Sequence, residues 1–178
     1  MNIPVLDTTR LRLREHRPSD LDAYAAMWAD ERVVRHIGGV PLSREQSWAR
    51  ILQYRGMWAS LGFGFWVIEE RASGALIGEA GLQDMQREMA PGLGGTLECG
   101  WGLVPAAHGK GLADEAVRAV LAWADRERPG RRVACIIAPE NAPSQRLAAK
   151  LGFAESDNAH YRGKQTVIWR RAVSTAAG

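Results

Sequence analysis

Residues 103–113 read Leu-Val-Pro-Ala-Ala-His-Gly-Lys-Gly-Leu-Ala, a glycine-flanked loop between an alternating stretch and an alanine-rich one. Gly109 and Gly111 lack the Cβ atoms that would keep an anion away from the backbone. The helix expected from Leu112 onward presents unpaired N–H groups at the positive end of its dipole, and Lys110 adds a cation beside them. The loop therefore predicts a seat for a pyrophosphate. A plain strand-to-helix connection is the alternative, because glycines also make ordinary turns.

Two better-known glycine loops do not fit this chain. A dinucleotide-binding loop requires G-x-G-x-x-G with an acidic residue about 20 positions later, and a nucleoside-triphosphatase loop requires G-x-x-x-x-G-K-[ST]. The chain instead has His-Gly-Lys-Gly-Leu-Ala at 108–113, Asn-Ala-Pro-Ser at 141–144 and Lys-Leu-Gly-Phe at 150–153. The order and spacing of these three segments carry more information than the loop alone.

The three segments resemble the acyl-CoA-binding core of the Gcn5-related N-acetyltransferases, the GNAT family. In that family the loop reads roughly [QR]-x-x-G-x-[GA], and the next segment reads N-x-x-[AS] and ends in L-G-F. Further segments resemble the branch that acetylates the N-termini of ribosomal proteins, and they extend the resemblance over nearly the whole chain: Thr-Arg-Leu-Arg-Leu-Arg at 9–14, Phe-Trp-Val-Ile at 65–68 with Leu-Ile-Gly at 76–78, and Leu-Glu-Cys-Gly-Trp at 97–101.

The resemblance implies the GNAT fold, an α/β arrangement. Its mixed sheet is mostly antiparallel and seven-stranded, with a splayed parallel central pair and about four flanking helices. Hydrophobic periodicity agrees with this order of elements. It predicts a strand over 5–15, two helices that follow Pro18 and Ser43, and a hairpin around Ser73-Gly74. It also predicts a strand-helix-strand unit from 96 to 138, whose strands should pair in parallel. We expect one domain over residues 1–173 and a loose tail at 174–178.

Composition limits the classes of partner. The chain has 178 residues, of which 46% are hydrophobic and 24% charged, and its net charge is +3, too small and too scattered for a nucleic-acid surface. Cys99 and Cys135 lie in apolar runs without other metal-type residues, so we expect buried free thiols in a reducing cytoplasm and no metal. No apolar run approaches the roughly 18 residues that a bilayer span needs. We expect no nucleic-acid or membrane partner, and a homodimer stays open.

Glu98 is the first candidate for the catalytic base. In the strand at 96–103, it points to the face opposite the apolar residues, and on that face its neighbours are Gly100 and Gly102. We expect this bare face to leave room for a bound molecule, and a carboxylate there can take the proton that an amine must lose before or during attack on a thioester. Glu79 in the neighbouring strand is the second candidate. A solvated or ion-paired acid is the alternative for both.

The resemblance also assigns roles in the late helix. Many family members place a tyrosine there that protonates the leaving thiolate, but the corresponding residue in this chain is Ala148. Ser144 matches the serine of the ribosomal-protein branch and is the candidate donor, while Tyr54 and Tyr161 stay open. Asn141 matches the asparagine that contacts the pantetheine arm or holds the late loop, and an Asx turn before Pro143 is the alternative.

The predicted cosubstrate is acetyl-CoA. Its binding residues, as the resemblance implies them, begin in the strand and continue through the loop into both helices: Leu103, Val104, His108, Gly109, Lys110, Gly111, Leu112, Ala113, Asn141 and Ser144. His108 stands where the family usually has glutamine or arginine, and an imidazole can still donate a hydrogen bond to a phosphate.

The sequence therefore predicts an N-acetyltransferase that passes the acetyl group of acetyl-CoA directly to a primary amine. The acceptor is a protein N-terminus or a small-molecule amine. An acyl-CoA-binding sensor without turnover is the alternative from a different class, since every residue of the seat could be kept without a base. An enzyme that uses the loop for a nucleotide phosphate is a third and weaker reading.

Overall fold

A computed structural model describes residues 3–173. The predicted tail at 174–178 and the first two residues lie outside the described residues, so the domain limits stay predictions. The sheet has eight strands in the order β1-β2-β3-β4-β5-β6-β8-β7. The strands are Leu6–Asp7 (β1), Leu11–Arg14 (β2), Phe65–Glu70 (β3), Leu76–Gln83 (β4), Leu97–Leu103 (β5), Val133–Ile137 (β6), Phe153–Tyr161 (β7) and Lys164–Arg171 (β8). The helices are Leu21–Ala29 (α1), Glu31–Val34 (α2), Arg44–Leu61 (α3), Leu112–Glu127 (α4) and Ala142–Lys150 (α5).

β5 and β6 form the parallel pair that the strand-helix-strand pattern predicted. Their ladder holds only at Leu97 with Val133 and at Glu98 with Ala134, and from Cys99 onward the two strands are unpaired with each other. All other neighbouring strands of the sheet run antiparallel. The mixed α/β sheet with one splayed parallel pair confirms the predicted fold class.

Alternation along β4 separates the two faces of the sheet. Ala80 and Leu82 belong to the larger apolar core, which α4 covers with residues such as Val117 and Val120. Glu79 and Gly81 point the other way, toward the smaller core that α1 and α3 form. The sheet therefore lies between two helical layers, and Glu79 and Glu98 lie on the face that carries α1 and α3.

Three tryptophans anchor the larger core. Trp58, Trp66 and Trp123 meet edge to face, with ring centroids 4.7–5.5 Å apart. Aromatic pairs in this arrangement add stabilisation beyond their buried area. All three are buried.

Local signals explain where α3 begins and ends. The Ser43 hydroxyl accepts from the Gln46 amide, and the Gln46 side chain accepts from the Ser43 amide, which is the predicted capping box. Gly62 ends the helix in the left-handed conformation, at φ 71°.

The strand predicted over 5–15 is two strands, which is why the sheet has eight strands rather than seven. The chain turns at residues 8–10, because the Glu115 carboxylate accepts hydrogen bonds from the Thr8 hydroxyl and from the Arg10 backbone and guanidinium. This contact ties the edge of the sheet to the first turn of α4. The short helix α2 is a further element that the two-helix prediction lacks.

Candidate active site

The splayed strands open a groove in the middle of the sheet, at the end where β5 and β6 finish. Because these two strands are parallel, their carboxyl ends lie on the same side, and the chain enters α4 after β5 and α5 after β6. The N-termini of two helices therefore border the groove where the strands part. Ligands of open α/β sheets bind at such a place.

The loop before α4 is shaped for a backbone contact with an anion. Gly109 and Gly111 both adopt the left-handed conformation, at φ 72° and 73°. Among the described residues, the backbone N–H groups of Gly109, Lys110 and Gly111 have no acceptor at hydrogen-bonding distance and angle. Arg10 fixes the loop from outside by donating to the Lys110 carbonyl at 2.9 Å. Three free donors on a fixed loop are suited to a phosphate.

His108 is exposed, and its Nε2 lies 2.9 Å from the Leu103 carbonyl oxygen. That contact holds the loop against the end of β5. Leu112 is buried beneath the loop and Ala113 is half-buried, so the first turn of α4 is anchored in the larger core. Of the predicted binding residues in β5, Leu103 is buried and Val104 half-buried.

Asn141 is the N-cap of α5, and its side-chain oxygen accepts from the Ser144 amide at 3.3 Å. The Asn141 side chain therefore acts as a helix N-cap rather than in an Asx turn, because the bond reaches the third residue on, and Pro143, the second, has no N–H. The Ser144 side chain is half-buried, and its hydroxyl has no hydrogen-bond partner among residues 3–173. Ala148, which stands where many family members have a tyrosine, is fully buried in the larger core. Ser144 is the residue of α5 that carries a hydroxyl group.

Glu98 lies at the last paired position before the strands part. Its side chain is only 5% exposed and forms a two-pronged ion pair with Arg87, at 2.6 Å from Arg87 Nε and 2.7 Å from Arg87 Nη2. The Gln83 amide donates to the same carboxylate at 2.7 Å. Burial alone would lower the pKa of Arg87, but hydrogen bonding and attraction to Glu98 raise that pKa above its ordinary value.

A cavity of about 290 Å³ surrounds this ion pair. Glu98, Arg87 and Asp84 supply its charged groups, and the loop between β4 and β5 supplies the rest of the wall. This loop crosses the sheet and reaches β7, where Ala90 bridges His160. The cavity therefore lies between the 84–96 loop and the two strand positions that carry Gln83 and Glu98.

The bare face beside Glu98 is occupied by protein side chains, contrary to expectation. A Cβ on Gly100 would lie 2.9 Å from the Phe65 ring, and one on Gly102 would lie 3.4 to 3.7 Å from Ile37, Met27 and Trp28. Because these two positions lack a Cβ, the Phe65 ring packs against β5 at Gly100, and the side chains of α1 and Ile37 pack against it at Gly102. The open space lies beside Glu98 on the side of the 84–96 loop.

The comparisons with known proteins agree with this geometry. The family model of the acetyltransferase (GNAT) domain matches residues 10–154, which include the splayed strands, the glycine loop and the start of α5. This chain belongs to the GNAT family. It is an acyl-CoA-dependent N-acetyltransferase.

Three relatives illustrate the range of similarity. A protein of Bordetella pertussis assigned to the GnaT-family acetyltransferases is 36% identical, with a TM-score of 0.83 over 96% of this chain and 100% of its own. The uncharacterised N-acetyltransferase YnaD of Bacillus subtilis (strain 168) is 30% identical over 83% of this chain and 81% of its own. The ribosomal L7/L12 α-N-protein acetyltransferase RimL, solved with coenzyme A, is 14% identical, with a TM-score of 0.78 over 96% of this chain and 98% of its own, and shares the fold.

In this acetyltransferase Glu79 lies away from Glu98. Glu79 pairs with Gly102, four residues along β5 from Glu98, a separation of about 13 Å at about 3.3 Å per residue. Its carboxylate accepts from the hydroxyls of Tyr24 at 2.6 Å and Tyr54 at 3.0 Å, and His16 Nε2 lies at 3.4 Å. Burial and the charge of Glu79 raise the pKa of both tyrosines well above the ordinary value. Glu79 thus links α1 and α3 to β4 by hydrogen bonds, and the Tyr54 hydroxyl donates its hydrogen bond to Glu79.

Replacing Glu79 with leucine is expected to lower the free energy of unfolding by about 3 kcal/mol or more, because two buried hydroxyls and His16 lose their acceptor at about 1 to 3 kcal/mol each. Urea denaturation followed by circular dichroism measures this. Glu79→Gln keeps the size and one acceptor oxygen, so its loss should be smaller. Equal stability of Glu79→Leu and the wild type would contradict the structural role.

The two cysteines of this acetyltransferase are buried free thiols. Burial raises the pKa of Cys99 to about 12, and the charge of Glu98 adds to the shift. Burial also raises the pKa of Cys135 well above its ordinary value. Since the thiolate is the reactive form, neither thiol is suited to carry an acyl group. The described residues include no cluster of His, Cys, Asp and Glu that could hold a metal ion.

Sequence reasoning missed Arg87 and Gln83, which hold Glu98. Arg87 lies in an irregular loop, eleven residues before its partner, so no helix or strand period connects the two. Gln83 is directly opposite Glu98 in the β4–β5 register. That pairing could have been found by aligning the two strands of the predicted sheet. Tyr161 was left open, and its ring lies 4.7 Å from the Arg87 guanidinium carbon.

Among residues 3–173, no helix has the length and apolar character that crossing a bilayer requires.

Proposed function

We propose that this enzyme transfers the acetyl group of acetyl-CoA directly to a primary amine, with Glu98 as the proton acceptor. The observation that carries the proposal is the placement of Glu98 at the point where β5 and β6 part, at the inner end of a groove whose outer end has three free backbone donors at Gly109–Gly111. The loop at Gly109–Gly111 offers hydrogen-bond donors to an anion, and Glu98 at the other end of the groove lies beside a cavity.

The residues present fit the cosubstrate. Acetyl-CoA would supply a thioester, which an amine can attack. The free N–H groups of Gly109, Lys110 and Gly111 would hold its pyrophosphate, together with the N-terminus of α4. The unpaired edge of β5 beyond Cys99 offers backbone donors and acceptors to a peptide-like pantetheine arm. The side-chain oxygen of Asn141 caps α5, so its amide N–H₂ group is available to donate a hydrogen bond to the pantetheine arm.

Glu98 performs the proton chemistry at the acceptor. An ammonium group must lose a proton before its nitrogen can attack, and Arg87 has donors only and cannot take that proton. Glu98 is the carboxylate at the parting of the strands, and the proton reaches it directly or through water in the cavity. Glu79 is about 13 Å away along the sheet, by about 3.3 Å per residue, and it lies in the contact between the sheet and helices α1 and α3 rather than beside the cavity.

Ser144 serves the leaving group. As the C–N bond forms and the C–S bond breaks, the CoA sulfur leaves with the bonding electron pair as a thiolate, to which the Ser144 hydroxyl can donate a hydrogen bond. The proton that the amine loses to Glu98 passes on through water to the thiolate or to solvent. A thiolate with a pKa near 8.5 needs only modest assistance. The raised pKa of Cys99, about 12, favours direct transfer over an acyl-cysteine.

The finer assignments belong to the same proposal. The acceptor is a primary amine, either at a protein N-terminus or on a small molecule. The free thiols Cys99 and Cys135 fit a cytoplasmic location.

The test is release of free CoA. The wild-type enzyme is incubated with acetyl-CoA and a panel of primary amines, and thiol formation is followed with a thiol reagent while mass spectrometry detects the acetylated product. We expect CoA and acetyl-amine in equal amounts. Binding of acetyl-CoA without release in the presence of any amine would favour a sensor, and thermal protection by ATP but not by CoA would favour a nucleotide enzyme.

A further inference from the structure

The geometry points to a class of acceptor: we propose that Arg87 anchors a carboxylate, and that the acceptor is a small zwitterionic amine, such as an α-amino acid. This inference rests on the proposed function, since it concerns the acceptor side of the same reaction. It assigns a specificity-determining role to a residue that the sequence did not single out.

Arg87 is held mainly from one edge. Its Nε and Nη2 donate to Glu98, and the Tyr161 hydroxyl is a weaker hydrogen-bonding neighbour of the guanidinium, so that donors of Nη1 and Nη2 remain for a ligand. The face of the guanidinium lies against the Tyr161 ring, at 4.7 Å. The side chain is therefore fixed in orientation, with one donor edge free beside the cavity. A planar guanidinium fixed in this way is suited to a carboxylate.

The cavity also contains carboxylates that can bind the ammonium group of a zwitterion. Asp84 lines it and uses one carboxylate oxygen, Oδ1, to accept from the Gln86 backbone and side-chain amides. Its Oδ2 has no donor among the residues that the structure describes. With Glu98, Asp84 attracts an ammonium group, and Arg87 is the cation among the residues that line the cavity. Charges of both signs in one cavity match a molecule that carries both.

The volume limits the size of the acceptor. About 290 Å³ lies at the lower end of the range of 300 to 1,000 Å³ that is typical of pockets for drug-sized ligands. A polyamine would pair with Asp84 and Glu98 but would offer no anion to the remaining donors of Arg87, and an aminoglycoside is larger than the volume beside the ion pair. A small amine with a carboxylate satisfies the size and the charges together.

The experiment compares acceptors that differ only in the carboxylate. Phenylalanine is paired with phenethylamine and lysine with cadaverine, and kcat/KM is measured for each with the wild type and with Arg87→Lys. We expect the wild type to prefer the amino acid by at least about tenfold, and Arg87→Lys, which keeps the charge but not the fork, to reduce that ratio to near one. Arg171→Lys is the matched control, because Arg171 forms an ion pair of the same two-pronged form with Asp125, with both contacts at 2.8 Å, outside the residues that line the cavity.

The ratio of the two acceptors separates recognition from a structural effect. If Arg87 only holds Glu98 in place, Arg87→Lys will lower kcat/KM for both members of a pair equally, and the proposal is overturned. Equal or better use of phenethylamine and cadaverine by the wild type overturns it too, while the proposed function stands. If no amine in the panel releases CoA, the proposed function fails, and carboxylate-dependent thermal protection in the presence of CoA then decides the anchor: protection supports it, and its absence overturns it. Turnover of tripeptides but not of amino acids would favour a protein N-terminus and overturn the small-molecule assignment.

Discussion

Replacing Glu98 with glutamine is expected to lower kcat by about 10²- to 10⁴-fold, the range for removal of a general base. Glutamine has nearly the same shape and can still accept hydrogen bonds from Arg87 and Gln83, but it cannot take up the proton of the attacking amine. Binding of acetyl-CoA should change little, because the free donors at Gly109–Gly111 lie at the other end of the groove. Steady-state kinetics of thiol release and calorimetry with CoA measure the two quantities.

The substitution also removes the anionic partner of Arg87, and an unpaired, largely buried charge destabilises a fold. Asp125→Asn is the matched control, because it leaves Arg171 without its two-pronged carboxylate partner in the same manner. Because Asp125 is 30% exposed and Glu98 only 5%, we expect a smaller fall in melting temperature for Asp125→Asn, and a loss of kcat in Glu98→Gln alone. Full activity of Glu98→Gln would show that Glu98 is the structural partner of Arg87 and that the proton leaves by another route.

Replacing Gly109 with valine is expected to weaken acetyl-CoA binding by about 100-fold. A β-branched residue is a severe outlier at φ 72°, so the loop must change its conformation and misdirect its N–H groups. Each hydrogen bond to a charged group contributes about 1.5 to 3 kcal/mol, so loss of one or two accounts for the expected factor. Isothermal titration calorimetry with acetyl-CoA measures the dissociation constant.

Gly130 provides a control with the same backbone strain. It has φ 76°, and a Cβ added there would meet no atom within 4 Å, as is true of Gly109. Gly130→Val should therefore have a similar cost in stability, about 1 to 3 kcal/mol, with unchanged affinity for acetyl-CoA. If both variants bind acetyl-CoA like the wild type, the loop is a plain connection and the pyrophosphate seat lies elsewhere.

Local patterns determined much of this protein. The apolar face of β5, the glycines of the loop and the capping box at Ser43 each depend on residues near one another in sequence, and the structure has all three. The parallel pairing of β5 and β6 was also predictable, since a strand-helix-strand unit has one favoured handedness. The family followed from the order of short segments, each of which is weak alone.

Only the tertiary structure decided how the two candidate carboxylates differ. Glu79 and Glu98 look alike in sequence, because each is an acid in an apolar strand on the same face of the sheet. Glu79 accepts hydrogen bonds from hydroxyls of α1 and α3, whose residues are 55 and 25 positions away in sequence, whereas Glu98 pairs directly with Arg87 beside a cavity. The hydrogen-bond partners of neither residue follow a regular spacing in the sequence, because loops and helix packing bring them together.

The bare glycine face shows the same division. Gly100 and Gly102 predicted open space over β5, and the structure fills that space with Phe65 and with side chains near α1. A missing Cβ can be read from a sequence, but what approaches in its place depends on how distant elements pack. Short-range backbone preferences therefore determined most of the strands and helices and the conformation of the glycine loop, while long-range packing decided which acid lies beside a cavity and which cation pairs with it.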